Sequence, residues 1–264
     1  MKPFVFSLDL EADYAGCADQ YEIFKDPEKI EQVLSVLDSL GVKITVFVVG
    51  EIFERYPDVI RIFEKYNCEY ESHSYSHNVV NPYLEDEIRK ARASYFNYFK
   101  KYPKGYRVPQ GRVSNAIIKL LERYGFLYDS SIFPSYYPNP FRYFFHNRNI
   151  HYFNNSNIME IPITTITPFR LTLSLSYIKL LGIKFYIKLL QIFAVPNNIC
   201  FSCHLHDFIV EEASYAKLSY FWKFIYSRNK FLGVNYCIQF LKHFKQKGYQ
   251  FCFMSELYKL YRQS

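Results

Sequence analysis

The sequence predicts an α/β fold, a distorted (β/α) barrel of seven or eight parallel strands, on two observations. Short apolar or β-branched runs alternate with longer amphipathic runs along the chain, as in successive βα units. Chemically reactive side chains follow several of the apolar runs, and in a barrel the carboxyl ends of the parallel strands meet on one face. No linker rich in Gly, Ser or Pro interrupts the 264 residues, so we expect a single domain over residues 1–264.

The first strand–helix–strand unit is the clearest. The apolar run F-V-F-S-L-D-L at 4–10 is typical of a buried strand and ends close to an acidic residue. Residues 26–40 have apolar side chains at helical spacing, and Gly41 follows as a helix stop. The β-branched run K-I-T-V-F-V-V-G at 43–50 predicts the second strand.

The central part of the chain repeats this alternation. Helices are predicted where apolar residues recur at helical spacing, at 51–66, 84–101 and 113–124. Short strands are predicted around them, at 68–73, 106–109, 127–131 and 159–165. Residues 133–157 are rich in Tyr, Asn, Phe and Pro and predict an irregular excursion from the barrel.

The last third adds strands at 199–204 and 249–254 and a mostly helical region at 216–247. The apolar run at 174–194 predicts a long helix. Three lysines in 174–195 argue against a helix that spans a bilayer, namely Lys179, Lys184 and Lys188. Two interpretations of this segment remain, a barrel helix buried on one side and an interfacial helix that docks the protein on a membrane.

The composition narrows the class of protein. The net charge is +7, but Lys and Arg form no basic run, which argues against nucleic-acid binding. The six cysteines are irregularly spaced, unlike a disulfide scaffold, and fit a reducing compartment. The first ten residues reach an acidic residue before any apolar signal core. We therefore expect a cytoplasmic protein, peripheral at the inner face of the membrane if residues 174–195 dock there.

The stretch E-S-H-S-Y-S-H holds His73 and His77 four residues apart. Two imidazoles at this spacing can lie on one side of a helical turn and bind one divalent ion. On the motif alone, two unrelated histidines are the alternative. A third ligand is usually a carboxylate, for which Glu11 is the natural candidate and Asp13 the reserve. Two histidines and one carboxylate leave coordination positions open, as in catalytic metal sites.

Asp9 lies two residues before Glu11, where the first strand ends. We predict that Asp9 is a general base that takes a proton from metal-bound water. The alternative is a carboxylate that caps a turn. Arg107, at the end of another predicted strand, would hold and orient Asp9 through a charge-assisted hydrogen bond.

These motifs, in this order, resemble the polysaccharide deacetylase (NodB-homology) family of carbohydrate esterases. The matching segments are S-L-D-L-E-A-D at 7–13, H-S-Y-S-H at 73–77, R-V-P-Q-G at 107–111, Y-D-S-S at 128–131, E-I-P at 160–162 and H-L-H-D at 204–207. The resemblance covers nearly the whole chain. Two departures stand out. Leu10 separates Asp9 from Glu11 where the commoner family form has adjacent aspartates, and Gly111 comes one position early after Arg107.

The resemblance implies a NodB-like deacetylase barrel that removes an N-acetyl group from an amino sugar in a polysaccharide or a lipid-linked glycan. It also implies one divalent metal ion, with zinc as the default, bound by Glu11, His73 and His77. Water on that ion would be activated by Asp9 and attack the acetyl carbonyl.

The resemblance further implies a late histidine that protonates the leaving amine. Both His204 and His206 fit, and we favour His204 because the apolar strand stops there. We expect substrate contacts from Gln110, whose backbone N–H could serve the oxyanion, and from Asp129 and Tyr75. Two other functions stay open. One is a related C–N hydrolase, such as a deformylase, acting on a lipid-linked amino sugar. The other is a non-catalytic glycan-binding protein on the same fold, against which the retained motif residues argue.

Overall fold

The computed structural model describes residues 2–17, 20–78, 85–135 and 143–263. Its strands are β1 (Lys2–Leu10), β2 (Ile44–Val48), β3 (Cys68–Ser72), β4 (Gly105–Tyr106), β5 (Tyr128–Asp129), β6 (His151–Tyr152), β7 (Met159–Glu160), β8 (Thr165–Ile166), β9 (Leu171–Thr172), β10 (Ile199–His204) and β11 (Tyr249–Phe251). Its first helices are α1 (Pro27–Ser39), α2 (Glu51–Arg55), α3 (Pro57–Glu64), α4 (Glu85–Phe99), α5 (Asn115–Arg123) and α6 (Leu175–Leu181). Those that follow are α7 (Ile183–Ile192), α8 (Leu205–Phe208), α9 (Glu212–Lys217), α10 (Tyr220–Ser227), α11 (Gly233–Gln246) and α12 (Met254–Arg262).

The main sheet is mostly parallel and curled. Its strand order is β10-β1-β2-β3-β4-β5-β7-β6, and β11 pairs with the start of β1. Every pairing in this sheet is parallel except that of β6 with β7. The chain after β7 returns beside β10, where Thr164 N donates to Cys200 O at 2.9 Å and Ser174 bridges Ser202. The predicted distorted barrel of parallel strands is confirmed, whereas the single domain stays a prediction.

The two faces of β1 explain where the apolar core ends and the polar site begins. Successive side chains of a strand point to opposite faces. Phe4, Phe6 and Leu8 join the large core between the sheet and the helices. Val5 joins a smaller cluster inside the curled sheet. Asp9 shares the face of Val5, so the inner face of β1 passes from apolar to acidic toward its carboxyl end.

Two predicted helices are each broken into two. Residues 51–66 form α2 and α3 because Pro57, which lacks an N–H, begins a new helix after Tyr56 with φ of −135°. Residues 174–194 form α6 and α7 because Gly182 adopts φ of 91° between them. No helix among the described residues has the length and apolar character needed to cross a bilayer.

The predicted helical region at 216–247 is divided among α9, α10, a 3-10 turn at Lys230–Leu232 and α11. Strands β4, β5 and β7 are shorter than predicted, with two residues each. Of the predicted excursion at 133–157, residues 136–142 lie outside the described residues, as does residue 84 of the predicted helix 84–101.

Candidate active site

The predicted site residues lie at the carboxyl ends of four parallel strands. Asp9 is the penultimate residue of β1, His73 follows β3, Arg107 follows β4 and His204 ends β10. Asp9 and His204 are partners in the register of β1 and β10. Strand-end residues that are far apart in the sequence therefore meet on one face of the sheet, as active-site residues of parallel barrels do.

Glu11 contacts both histidines of the H-S-Y-S-H motif. Its Oε2 lies 3.1 Å from His73 Nε2 and 2.6 Å from His77 Nε2. Burial raises the pKa of Glu11, but the charge of His77 and the close contacts with both imidazoles outweigh it and leave the pKa well below its ordinary value. The ligand atoms of these three residues lie within 4.8 Å of one another.

The hydrogen bonds of His73 fit a cation between these groups. Its Nδ1 lies 2.8 Å from the carbonyl oxygen of Arg107, and a carbonyl can only accept, so Nδ1 carries the hydrogen. In the neutral ring, Nε2 then turns a lone pair toward Glu11 Oε2. Glu11 Oε1 is also buried without a hydrogen-bond partner among the described residues. Two imidazole nitrogens and a carboxylate form a donor set that suits a divalent metal ion.

The turn that carries His77 differs from the prediction. Residues 73–78 form no helix, so the expected helical turn is wrong. Ser74 and His77 instead adopt φ of 60° and 54°, and Ser74 Oγ accepts a hydrogen bond from His77 N at 3.1 Å. This irregular turn places the two imidazole rings 5.0 Å apart.

Asp13, the reserve for the third ligand, lies elsewhere. Its Oδ2 accepts hydrogen bonds from Ser214 Oγ at 2.6 Å and Glu22 N at 2.9 Å. Burial raises the pKa of Asp13 to about 6. The structure thus brings Glu11 to the two imidazoles, while Asp13 ties the loop after β1 to α9.

Arg107 holds Asp9 from inside the curled sheet. Its Nη1 donates to Asp9 Oδ1 at 2.5 Å, and both side chains are almost fully buried. Its Nε donates to Ser130 O at 2.7 Å, and Nη2 donates to Ser130 Oγ and Ser7 Oγ at 3.0 and 3.1 Å. The guanidinium carbon lies 4.1 Å from the centre of the Phe47 ring. These contacts fix the carboxylate of Asp9 in one orientation.

His204 faces both carboxylates of the site. Its Nε2 lies 3.6 Å from Asp9 Oδ2 and 3.5 Å from Glu11 Oε1. On its other side, Nδ1 lies 3.5 Å from Asp207 Oδ2, which also accepts a hydrogen bond from His204 N at 3.0 Å. Burial lowers the pKa of His204, but the three surrounding carboxylates outweigh it and raise the pKa to about 9. The imidazole is therefore protonated at neutral pH in this arrangement.

His206, the other candidate acid, is packed behind His204. Its ring stacks on that of His204 at 4.8 Å and lies 5.2 Å from each of the Tyr14 and Tyr226 rings. Burial lowers the pKa of His206 to about 3, so its ring is neutral. Its backbone carbonyl accepts a hydrogen bond from the buried Lys179 at 3.4 Å.

The three predicted substrate contacts have different positions. Gln110 is exposed on the 3-10 turn after Arg107, with φ of 53°. Tyr75 is partly exposed, and its hydroxyl donates to Glu54 Oε2 at 2.9 Å. Asp129 is fully buried, so its carboxylate is not offered to a substrate. Its Oδ1 accepts a hydrogen bond from Ser131 Oγ at 2.7 Å.

Several supporting residues were not assigned from the sequence. Glu160 is the register partner of Asp129 in the pairing of β5 with β7, and burial raises the pKa of both carboxyls. Ser7 and Ser130 support Arg107, and Asp207 supports His204. Of these residues, Ser7 could have been found from the sequence. Its hydroxyl lies in the middle of an apolar strand, on the face that also carries Asp9, and a buried hydroxyl needs a hydrogen-bond partner.

Residues 19–128 match the polysaccharide deacetylase family. A relative, the peptidoglycan deacetylase-like protein FGM2 of Gibberella zeae, is 31% identical over 125 residues. That alignment covers 44% of this chain and 37% of the relative, so the chain spans well under half of the relative's length.

Two solved structures share the fold over nearly the whole chain. One is described as a candidate polysaccharide deacetylase from Mycobacterium smegmatis, with a TM-score of 0.63, 18% identity and coverage of 99% of this chain and 90% of that chain. The other is PuuE allantoinase, with a TM-score of 0.62, 15% identity and the same coverage. The resemblance predicted from the motifs is confirmed by the family match over residues 19–128, and the two solved structures share the barrel fold over nearly the whole chain.

Proposed function

We propose that this protein is a metal-dependent hydrolase that removes an N-acetyl group from an amino sugar in a polysaccharide or a lipid-linked glycan. One observation carries the proposal. The protonated imidazole of His204 lies within 4 Å both of the Asp9 carboxylate and of Glu11, which belongs to a cation-binding set (Glu11, His73, His77). Amide hydrolysis needs a base that takes a proton from the attacking water and an acid that gives a proton to the leaving amine.

The donor set supports one divalent ion, and zinc is the first to test because its usual ligands are imidazole nitrogen and carboxylate oxygen. When held by Glu11, His73 and His77, such an ion supplies Lewis acidity to the acetyl carbonyl and to the attacking water.

The chain's own residues supply the proton transfers. Asp9 accepts a proton from the water that adds to the acetyl carbon, and Arg107 keeps its carboxylate aimed at that water. His204 gives a proton to the amide nitrogen as the carbon–nitrogen bond breaks, which releases acetate and the free amine. Asp207 holds the imidazole from its far side. The pKa of about 9 for His204 and of about 3 for His206 supports His204 as the acid.

The nature of the acyl group is less constrained than the amide chemistry. Among the described residues, none of the contacts around Asp9, Glu11 and His204 distinguishes acetyl from formyl, since all of them address the carbonyl, the water or the amine. A deformylase acting on a lipid-linked amino sugar is therefore the second candidate. The polysaccharide deacetylase match over residues 19–128 favours acetyl.

Product analysis with two matched variants tests the proposal. Purified protein loaded with zinc would be given N-acetylglucosamine oligomers and N-acetylated lipid-linked sugars, and acetate release and the mass loss of one acetyl group would be measured. The same assay with N-formyl donors and formate detection tests the second candidate. Asp9→Asn is expected to keep the metal and lose turnover, whereas Glu11→Gln is expected to lose the metal. Fully metal-loaded protein that releases acetate from none of these donors would refute deacetylation.

A further inference from the structure

Helix α10 is apolar, yet none of its residues is buried. Its sequence is Y-F-W-K-F-I-Y-S, with one charged residue in eight. Tyr220 is 89% exposed, and Phe221 and Phe224 are 61% and 59% exposed. The apolar side of a surface helix ordinarily faces the core. Here it faces outward, so the core does not account for it.

The exposed apolar side chains continue beyond α10. Eight of the fourteen large hydrophobic side chains that are exposed among the described residues come from residues 181–232, so they are concentrated in one part of the chain. We call these eight the apolar surface: Leu181, Phe185, Ile192, Tyr220, Phe221, Phe224, Phe231 and Leu232. Helix α10 packs against α6, and α6 against α7. Asn229, just after α10, donates to the carbonyl of Lys179 in α6 at 2.7 Å.

The part of the chain that carries the apolar surface is strongly basic. Residues 161–264 contain thirteen Lys and Arg and four Asp and Glu, whereas residues 1–160 contain nineteen and twenty-one. No acidic residue occurs between positions 213 and 255. Lys184 and Lys188 lie on the exposed side of α7 beside Phe185, and Lys217 and Arg228 flank α10 and are exposed. The positive charge of the chain is therefore carried by the part that presents the apolar surface.

The inner side of α10 reaches the candidate active site. Trp222 stacks on Tyr226 at 5.8 Å, and the Tyr226 ring lies 5.2 Å from that of His206. His206 in turn stacks on His204 at 4.8 Å. One aromatic layer thus separates the outward residues of α10 from the imidazoles at the end of β10.

We propose that the apolar surface docks this protein on an anionic phospholipid bilayer. Aromatic side chains enter the interfacial region of a bilayer, and flanking lysines are attracted by anionic headgroups. A second copy of this chain is less suited to cover the apolar surface, because it would bring its own Lys184, Lys188 and Arg228 against those of the first copy. Docking would place His204 and His206 behind one aromatic layer from the bilayer.

Vesicle flotation tests the proposal. The full chain is expected to float with vesicles of equal parts phosphatidylglycerol and phosphatidylcholine, to bind phosphatidylcholine alone much less, and to be released by salt. Phe221→Ser/Phe224→Ser should weaken binding about tenfold or more, since both side chains lose their apolar burial. Lys184→Glu/Lys188→Glu should weaken binding to the anionic vesicles about tenfold or more and leave the melting temperature unchanged.

Matched variants elsewhere control for the loss of aromatic groups and of charge. Phe96→Ser/Tyr102→Ser removes two exposed aromatic side chains, and Lys100→Glu/Lys119→Glu makes the same charge change. Both should bind as the wild type does. Wild-type protein that stays out of the vesicle fraction at low salt would overturn the proposal, as would control pairs that weaken binding equally. A dimer that Phe221→Ser/Phe224→Ser converts to a monomer would overturn it in favour of a second copy. Vesicle binding does not depend on turnover, so the proposed deacetylation stands or fails separately.

Discussion

Asp9 and Arg107, 98 positions apart in the sequence, form a buried ion pair in which Nη1 lies 2.5 Å from Oδ1. The guanidinium is also hydrogen-bonded to Ser7 and Ser130. Because both charged groups are almost fully buried, each depends on the other for compensation of its charge. The pair therefore links the stability of the curled sheet to the position of the proposed base.

Arg107→Met tests this dependence. The variant leaves the buried Asp9 carboxylate without its hydrogen-bonded cation and with only the His204 imidazole facing it at 3.6 Å. We expect a loss of about 3–5 kcal/mol in the free energy of unfolding. Asp9→Asn in the same background removes the uncompensated charge and should recover part of that loss. Urea unfolding of the two single variants and the double variant measures the coupling. Losses that simply add would show that the two side chains are energetically independent.

The sequence predicted the part of the site that depends on strand ends. Asp9, Arg107 and His204 were predicted because reactive residues at the ends of parallel strands meet on one face, and the structure brings them together. Glu11 and the two histidines were predicted from donor chemistry and spacing, and they also converge. Their roles stay predictions until metal binding and turnover are measured.

The features of the site that the sequence could not predict depend on tertiary contacts or on unusual backbone conformations. The turn from His73 to His77 contains two residues with positive φ, Ser74 and His77, and this conformation is uncommon for residues other than glycine. Asp129 ends a strand like the other site residues, but its pairing with Glu160 across the sheet turns it into a buried support. Strand periodicity cannot show which neighbouring side chain covers a carboxylate.

A pair of histidine variants distinguishes the proposed acid from its neighbour. His204→Gln should lower kcat about 10²–10⁴-fold because the leaving amine loses its proton donor. His206→Phe should retain most of kcat, since the ring of His206 is neutral and packs among aromatic rings. The rate of the wild type should fall as pH rises, because His204 loses its proton. The midpoint of this fall should lie at or below the His204 pKa of about 9. Rate profiles against pH check this, and a full loss of kcat in His206→Phe would contradict it.

Gly233, at the start of α11, lies against the backbone of Asp207. A Cβ at this position would clash with the carbonyl oxygen of Asp207, at 1.8 Å. We expect Gly233→Ala to displace Asp207, and with it His204, so that kcat falls while KM changes little. Gly248→Ala is the control, because a Cβ there meets nothing within 4 Å. Its positive φ should cost about 1 kcal/mol of stability and leave kcat unchanged. Equal effects of the two variants on kcat would contradict the idea that the close contact between Gly233 and the Asp207 backbone positions His204.

Glu71, two residues before His73, gives the fold a dependence on pH. Its carboxylate accepts hydrogen bonds from Gly105 N at 2.6 Å, Lys104 N at 2.8 Å and Tyr128 OH at 2.6 Å. Burial, and next the charge of Glu69, nevertheless raise the pKa of Glu71 from 4.5 to about 8. The folded protein therefore binds a proton that the unfolded chain releases between pH 4.5 and pH 8, so the contribution of Glu71 to stability falls as pH rises through this window.

Glu71→Gln should remove this part of the pH dependence. The carboxamide carries no charge, its oxygen can still accept from the two backbone N–H groups, and its NH₂ can donate to the Tyr128 oxygen. We expect the free energy of unfolding, measured in urea at pH values across the window, to fall less steeply in the variant than in the wild type. Glu28→Gln, an exposed change of the same kind in α1, should leave the slope as it is. Parallel slopes for Glu71→Gln and the wild type would mean that Glu71 is ionised in the folded protein throughout this range, stabilised by its three hydrogen-bond donors against the cost of burial.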